Sequence, residues 1–220
     1  MANFHGVELE TSEELFRPTT ISEHCAKNID FSGKKILDLG CGVGPLAIYF
    51  ALNGARAVSA CDVVPEHIEL AKKNAEQNSV NIDIFESDLF SKVMEKFEVI
   101  CCDVSGVDKS TATITGWFPE NVPTADESGA DLIVRAISEA GSFLVEKGLL
   151  YVCGTSFSDV PLIEATFETY FPNNWEVVYE LDIPFSRRLK ESVESLPPAY
   201  YSTKNNDHFW QFRLYRSIKG

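Results

Sequence analysis

Three glycines at alternating positions directly follow a short apolar segment near the start of the chain. Residues 35–39 read Lys-Ile-Leu-Asp-Leu, and Gly40, Gly42 and Gly44 come next. A strand that ends in such a cluster can turn sharply, and its backbone can approach a ligand that a Cβ atom would block. Pro45 then opens an apolar helical segment, whose first N–H groups are unpaired and can meet a ligand. The sequence therefore predicts a strand, a tight turn and a helix that bind a nucleotide-like ligand.

Strand and helix signals alternate along most of the chain, with no internal repeat. This alternation is typical of a parallel sheet covered by helices. The last two strand-like segments are joined by 24 polar residues without a clear helix, so we expect that pair to be antiparallel. We predict strands at 35–39, 55–61, 81–85, 97–102, 149–153, 175–183 and 208–216, and helices at 45–53, 65–78, 128–148 (with Gly148 as its terminator) and 159–171. The predicted fold class is α/β, a Rossmann-like, seven-stranded, mostly parallel sheet with helices on both faces and an antiparallel last strand.

The length and the acidic composition limit the organisation and the partners of the chain. With 220 residues and 45% hydrophobic content, the chain is long enough for one globular domain with a core. We divide it into an N-terminal cap segment, 1–30, and one ligand-binding domain, 31–220. Asp and Glu outnumber Lys and Arg by 33 to 19, and the net charge of −14 repels phosphate backbones and anionic lipids. Nucleic acid is therefore an unfavourable partner, although a local basic patch can override this average.

The cysteines and histidines bear on the cellular compartment and on metal binding. The six cysteines form no C-x-x-C pair, and the four histidines are scattered one by one. We therefore expect reduced, buried thiols, as in a cytoplasmic protein, and no metal site. The first residues carry several glutamates and no basic segment, and no apolar run approaches the ~18 residues of a membrane span, so neither a secretory signal nor a membrane partner is expected. A monomer and a homodimer are equally compatible with the sequence.

The glycine spacing distinguishes between two classes of nucleotide ligand. A dinucleotide-binding fingerprint would place its third glycine at position 45, where this chain has proline. Asp38, two residues before Gly40, is better suited to a ligand with an amino group than to a pyrophosphate. The segment from Asp38 to Gly44 resembles the first motif of class I S-adenosylmethionine-dependent methyltransferases. The resemblance implies S-adenosylmethionine as the cofactor, with Asp38, Gly40, Cys41 and Gly42 at its binding site.

Further cofactor residues are implied by the same resemblance. Asp62 lies where the family places the carboxylate that accepts both ribose hydroxyls, with Val63 beside it. Asp88 and Leu89 follow the third strand, where the family's adenine-contacting acidic residue lies. For both aspartates the alternative is a helix cap.

The family also has a proline-containing stretch that closes over the cofactor. The matching segment here implies that Phe16 and Thr19 line that side of the site. Thr20 and Glu23 have the spacing of a capping box, which predicts a helix beginning just after Thr20.

The end of the fourth strand departs from the most similar branch of the family. Residues 86–90, 97–100 and 130–133 resemble the small methyltransferases that include the release-factor glutamine enzymes, in which this strand ends in Asn-Pro-Pro-Tyr. Here Asp103-Val104-Ser105-Gly106 takes that place. A carboxylate accepts hydrogen bonds but cannot also donate one as an amide does, so glutamine and exocyclic base amines become less favoured substrates. Asp103 suits a protonatable amine, a hydroxyl that needs a general base, or the cofactor's own ammonium group, and a turn cap is its structural alternative.

Two other segments are candidates for the substrate side. The long connection 105–127 contains Trp117-Phe118-Pro119 and is a plausible lid over the acceptor. Arg187, Arg188 and Lys190 form the densest basic cluster, which is by default a solvated helix face, although it suits a substrate carboxylate or phosphate.

The sequence thus predicts an S-adenosylmethionine-dependent methyltransferase that acts on an oxygen or nitrogen nucleophile of a small molecule. Asp103 is the predicted catalytic residue. The alternatives are a cyclase or lyase that consumes the cofactor and releases methylthioadenosine, a protein or RNA methyltransferase, and a cofactor-binding module without activity. The predicted cofactor-binding residues are Phe16, Thr19, Asp38, Gly40, Cys41, Gly42, Asp62, Val63, Asp88, Leu89 and Asp103.

Overall fold

A computed structural model describes residues 2–12, 15, 19–119, 122 and 124–220. Its strands are β1 (Ala2–Phe4), β2 (Val7–Leu9), β3 (Lys35–Leu39), β4 (Ala57–Asp62), β5 (Asp83–Glu86), β6 (Phe97–Cys102), β7 (Leu144–Thr155), β8 (Trp175–Pro184), β9 (Ser202–Lys204) and β10 (Asp207–Ile218). Its α-helices are α1 (Thr20–Asn28), α2 (Pro45–Leu52), α3 (Pro65–Gln77), α4 (Lys109–Thr115), α5 (Asp131–Phe143), α6 (Val160–Tyr170) and α7 (Arg187–Glu191). Strands and helices alternate through the middle of the chain, as predicted.

The central sheet has the order β5-β4-β3-β6-β7-β10-β8, and the short β9 pairs with β10 as an eighth strand. The five strands from β5 to β7 are parallel to their neighbours. Strand β10 runs antiparallel between β7 and β8. The predicted Rossmann-like sheet is therefore confirmed, including the antiparallel pairing of the last two long segments.

Both faces of the central strands are buried. Successive side chains of β3 and β6 point to opposite faces, and each face packs against a hydrophobic core. Ile36 and Val99 belong to the core that contains α2, whereas Leu37 and Ile100 belong to the core that contains α5. All four side chains are fully buried. Burying one such side chain contributes roughly 1.5–3 kcal/mol, so these strands hold the site rigidly from both sides.

Three details differ from the sequence-based expectation. Helix α5 ends at Phe143, and Gly148 is a residue of β7 instead of a helix terminator. A Cβ atom at Gly148 would meet the carbonyl oxygens of Val145 and Phe97, so this glycine permits close strand packing. Helix α1 begins one residue earlier than expected, with Thr19 at its N-cap, so Glu23 is displaced from the capping-box position. The β1–β2 hairpin and the short helices α4 and α7 were not predicted.

The N-terminal hairpin is attached to helix α3 by side-chain amides. Asn78 Oδ1 accepts from the N–H of Glu8 (3.0 Å), and Asn74 Oδ1 accepts from the N–H of Glu10 (2.8 Å). The Asn74 amide also donates to the carbonyl of Val43 in the glycine loop (3.0 Å). The hairpin therefore supports the loop from outside, while the division at residue 30 stays a prediction.

The cysteines match the expectation of buried thiols. All six cysteines are free and buried. Within the described part of the chain, no helix is long and apolar enough to cross a bilayer.

Candidate active site

A cavity of about 840 Å³ lies at the carboxyl ends of the parallel strands. Open α/β sheets bind ligands at this edge, because the loops that leave the strands converge there. Of the residues predicted for the site, the cavity is lined by Thr19, Gly40, Gly42, Asp62, Val63, Asp88, Leu89 and Asp103. Asp38 and Cys41 are buried beside it and are not among the lining residues. Phe16 lies outside the described residues. The structure thus brings together eight of the eleven predicted positions.

The glycines of the loop after β3 serve different purposes. A Cβ atom at Gly40 would lie 2.8 Å from Cγ1 of Val104, so Gly40 lets the β6 loop pack against this turn. A Cβ atom at Gly44 would lie 3.3 Å from Cβ of Ala71, which brings α2 close to α3. At Gly42 nothing lies within 4 Å of the Cβ position, and φ is +51°. Gly42 therefore leaves open space on the cavity wall that a side chain would fill.

Asp38 holds the start of α2. Its Oδ2 accepts from the N–H of Ala47 at 2.9 Å, and its buried Oδ1 has no hydrogen-bond partner among the described residues. Burial, and secondarily the nearby Asp103 carboxyl, raise the pKa of Asp38 to about 8. The structure gives Asp38 an anchoring contact, and its role toward the cofactor stays a prediction.

Asp62 is held by three donors at the end of β4. Its Oδ2 accepts from the N–H of Gly42 (2.9 Å), and its Oδ1 accepts from the N–H of Val64 (2.9 Å). Nδ1 of His67 lies 3.1 Å from the same Oδ1. The Val64 bond fits the helix-cap interpretation, while the Gly42 bond joins Asp62 to the glycine loop. Each carboxylate oxygen has two lone pairs, so the second lone pair of Oδ2 remains for a hydroxyl donor on the cavity side.

Val63, after β4, adds an apolar surface to the cavity, and Asp88, after β5, adds an ion pair. Val63 is 46% exposed although it is apolar, and it lines the cavity. Both oxygens of Asp88 accept from Nη2 of Arg135, at 3.1 and 3.0 Å. Leu89 is buried with a φ of +44°, a conformation that is uncommon for a residue other than glycine. Asp88 thus reaches the cavity already paired with a cation from α5.

Asp103, at the end of β6, is half-buried on the cavity wall. Its Oδ2 accepts from Oγ of Ser22 at 3.0 Å, a contact that helix α1 supplies. Burial raises the pKa of Asp103, and hydrogen bonds from Ser22 and Cys153 partly offset this effect. The cap of the following helix is Asp108, whose side chain accepts from two N–H groups of α4. Asp103 is therefore held toward the cavity and does not cap that helix.

Aromatic side chains line the cavity beyond Asp103. Trp117 and Phe118 come from the long connection after β6, and Trp210 comes from β10. The ring centroids of Trp117 and Trp210 are 5.7 Å apart. The connection that was predicted to be a lid is thus part of the cavity wall.

The basic cluster at α7 serves structural contacts. Arg187 binds Glu191, and Lys190 binds Asp207. Nη1 of Arg188 donates to the carbonyl of Thr115 at the end of α4 (2.8 Å). These contacts support the default interpretation of a surface helix face, whose basic side chains bind neighbouring groups of the protein.

Comparison with known proteins connects this geometry to a family. The family model described as the methyltransferase small domain matches residues 20–103. A provisionally named protein N5-glutamine methyltransferase of Methanocaldococcus jannaschii is 30% identical over 154 residues, which cover 70% of this chain and 78% of that protein. The chain belongs to this family of class I methyltransferases. The methyltransferase is also 27% identical over 162 residues to the release factor glutamine methyltransferase of Streptococcus pneumoniae, covering 69% of this chain and 58% of that enzyme.

A solved structure supports the same fold. The 16S rRNA N2 G1207 methyltransferase of T. thermophilus, in complex with AdoMet and guanosine, matches with a TM-score of 0.61 at 15% identity. The match covers 93% of this chain and 44% of that chain. The residues described above fit S-adenosylmethionine as a cofactor. The open space at Gly42, the carboxylate of Asp62 for hydroxyl donors and the exposed apolar Val63 are suited to a nucleoside.

Several residues of the site escaped the sequence-based prediction. Ser22, Arg135 and Trp210 come from elements remote in sequence, so no local motif indicates them. His67 was visible five residues after Asp62, and its position in the first turn of the helix was the available signal.

Proposed function

We propose that this methyltransferase transfers a methyl group to a nitrogen or oxygen nucleophile of a small molecule held against Asp103. The observation that carries the proposal is the carboxylate at the end of β6, which lines the cavity where related enzymes have an amide. A carboxylate binds an N–H or O–H donor and can accept its proton. It cannot donate to the carbonyl oxygen of an amide substrate.

The charges around the cavity favour a neutral or cationic acceptor. Among the described lining residues, Arg135 is the only Arg or Lys, and it is bonded to Asp88. An acceptor carrying a carboxylate or phosphate would therefore find no available cation there. The rings of Trp117, Phe118 and Trp210 suit a flat or cationic group.

The chain's own residues supply position and proton acceptance. When bound, S-adenosylmethionine supplies a methyl group on a sulfonium, which is already a strong electrophile. Ser22 donates to Oδ2 of Asp103 and so fixes the orientation of the carboxylate. Because burial raises its pKa, Asp103 is a stronger base than a solvated aspartate and can take the acceptor's proton. The aromatic wall excludes water and holds the acceptor in line, which is the main requirement of a direct displacement.

A second candidate function is methylation of a protein glutamine. The names of the Methanocaldococcus and Streptococcus relatives both favour it. The replacement of the amide by Asp103 counts against it. Methylation of RNA, the activity in the name of the Thermus protein, is further disfavoured by the net charge of −14.

Isotope transfer from trideuteromethyl-labelled S-adenosylmethionine tests the proposal. The enzyme is incubated with the small-molecule filtrate, the protein fraction and the RNA fraction of an extract of its own cells, and each is analysed by mass spectrometry. We expect enzyme-dependent label in the filtrate, which Asp103→Asn reduces by ~10²–10⁴-fold at early times. Label confined to glutamine in the protein fraction, or to RNA, would overturn the small-molecule assignment.

A further inference from the structure

One buried histidine lies beside the proposed ribose-binding carboxylate. His67 lies in the first turn of α3, and its side chain is only 3% exposed. It nevertheless belongs to the cavity lining, next to Asp62. The motif that predicts the cofactor site does not include it, so its position requires a separate explanation.

The hydrogen-bond chemistry of the pair defines the tautomer. An ionised carboxylate can only accept, so the 3.1 Å contact between Nδ1 of His67 and Oδ1 of Asp62 requires the proton on Nδ1. With this contact, Asp62 has three donors from three places, namely the glycine loop, its own turn and helix α3. Three donors from different directions hold the carboxylate in one rotamer, with the second lone pair of Oδ2 available to the cavity.

The electrostatics of the pair preserve the function of Asp62. The imidazole of His67 offers one N–H to Oδ1 and leaves Oδ2 with the single hydrogen bond from Gly42. An arginine or lysine at this position would compete for the same oxygens as a charged partner. A histidine donor is therefore suited to hold a carboxylate that must accept further hydrogen bonds from a ligand.

We propose that His67 is a positioning residue that orients Asp62 toward the ribose hydroxyls of S-adenosylmethionine and thereby sets the affinity for the cofactor. This rests on the proposed placement of the ribose at Asp62. His67 acts before the chemical step, and it takes no part in proton transfer at Asp103. The competing explanation is that His67 only fills space between α3 and the sheet.

A double-mutant cycle separates these two explanations. S-adenosylhomocysteine is titrated by calorimetry into the full chain and into His67→Leu, His67→Asn, Asp62→Asn and the double variant Asp62→Asn/His67→Leu. Asparagine keeps a donor close to the place of Nδ1, whereas leucine removes it and keeps apolar volume. We expect His67→Leu to weaken binding about tenfold, the scale of one hydrogen bond to a charged group, and His67→Asn to retain affinity within about threefold. In the Asp62→Asn background, His67→Leu should add less than about twofold.

Kinetics and a matched control complete the experiment. In His67→Leu the KM for S-adenosylmethionine should rise while kcat at saturation stays unchanged, since only binding is affected. His24→Leu is the control, because His24 is also partly buried and bonded, to Tyr179 Oη at 2.9 Å, but does not line the cavity. Its affinity for S-adenosylhomocysteine should equal that of the wild type.

Four outcomes would overturn the inference. An equal loss from His67→Leu in both backgrounds would show a packing role, and so would a failure of His67→Asn to retain affinity. Normal binding by His67→Leu, together with weak binding by Asp62→Asn, would refute the coupling and leave the cofactor placement intact. Normal binding by Asp62→Asn would instead refute the ribose placement itself, so the two failures are distinguishable.

Discussion

The cavity has two proposed halves that are built in different ways: a cofactor half around Gly42, Asp62 and His67, and an acceptor half around Asp103. The cofactor half joins residues close in sequence, since Asp62 contacts Gly42, 20 positions away, and His67, five positions away. The acceptor half joins distant segments, since Ser22 and Asp103 are 81 positions apart and Cys25 and Cys153 are 128 apart. The first half is a property of consecutive strand–turn–helix units. The second exists only after α1, the connection behind β6 and strand β10 have packed together.

This difference indicates which residues of the cavity can be substituted and which cannot. The cofactor half depends on backbone N–H groups and on glycines with positive φ, which tolerate few substitutions. The acceptor half depends on side chains carried by loops and by a strand near the edge, and such positions can change without altering the fold. Cofactor chemistry is therefore shared across a family, while substrate choice is specific to each chain.

The largest effect is expected at Asp103, in the acceptor half. Asp103→Asn keeps the shape and removes the charge, so turnover should fall by ~10²–10⁴-fold, the usual contribution of a general base. Affinity for S-adenosylhomocysteine should stay nearly unchanged by calorimetry. A parallel loss of affinity for S-adenosylmethionine and S-adenosylhomocysteine, with normal single-turnover rate, would instead assign Asp103 to the cofactor's ammonium group and to the other half.

Asp62→Ala should affect the cofactor half alone. We expect cofactor affinity to weaken by about 1.5–3 kcal/mol, the range for lost charge-assisted hydrogen bonds, with kcat at saturation preserved. Circular dichroism checks that the fold is intact, and Asp83→Ala, an exposed aspartate at the start of β5, is the matched control. An unchanged dissociation constant would reduce Asp62 to a helix cap.

The raised pKa of Asp38 predicts how the stability of the protein depends on pH. Its pKa is about 8 in the folded protein, against an ordinary value of 3.8 in an unfolded chain, so between these pH values the folded state binds one proton more than the unfolded state. The free energy of unfolding should therefore decrease as pH rises through this window, on the order of 1 kcal/mol per pH unit. Urea denaturation at several pH values measures the slope, and Asp38→Asn should flatten it. An identical slope in both proteins would contradict the assignment.

The smallest effect is expected at Arg135. Its ion pair with Asp88 is about half exposed, and such pairs contribute about 0–1 kcal/mol to stability. Arg135→Gln should therefore lower the melting temperature little and change S-adenosylhomocysteine affinity by less than about threefold. A large loss of affinity would show that Arg135 holds Asp88 in place for the adenine.

Local pattern determined much of the fold in advance. The short apolar runs at 35–39 and 97–102 and the glycine cluster predicted the central strands and the turn between β3 and α2, because strand formation and positive φ are properties of short segments. The family resemblance assigned Asp62 and Asp88, at the predicted strand ends, to the site, and both line the cavity. Their roles toward the cofactor stay predictions.

Only the tertiary structure decided the short helices, the place of Gly148 and the contacts between distant side chains. Helix propensity did not reveal α4 or α7, which are short and depend on packing, since nucleating an isolated helix is unfavourable. Gly148 fits the local pattern of a helix terminator, but it lies in β7. There the lack of a Cβ atom lets its backbone approach the carbonyl oxygen of Phe97. The contacts of Asp103 with Ser22 and of Asp88 with Arg135 join side chains from different elements. The sequence by itself thus placed the glycine loop and Asp62, because their contacts are local, whereas chain packing decided the partners of Asp88 and Asp103, because those side chains meet only in the folded molecule.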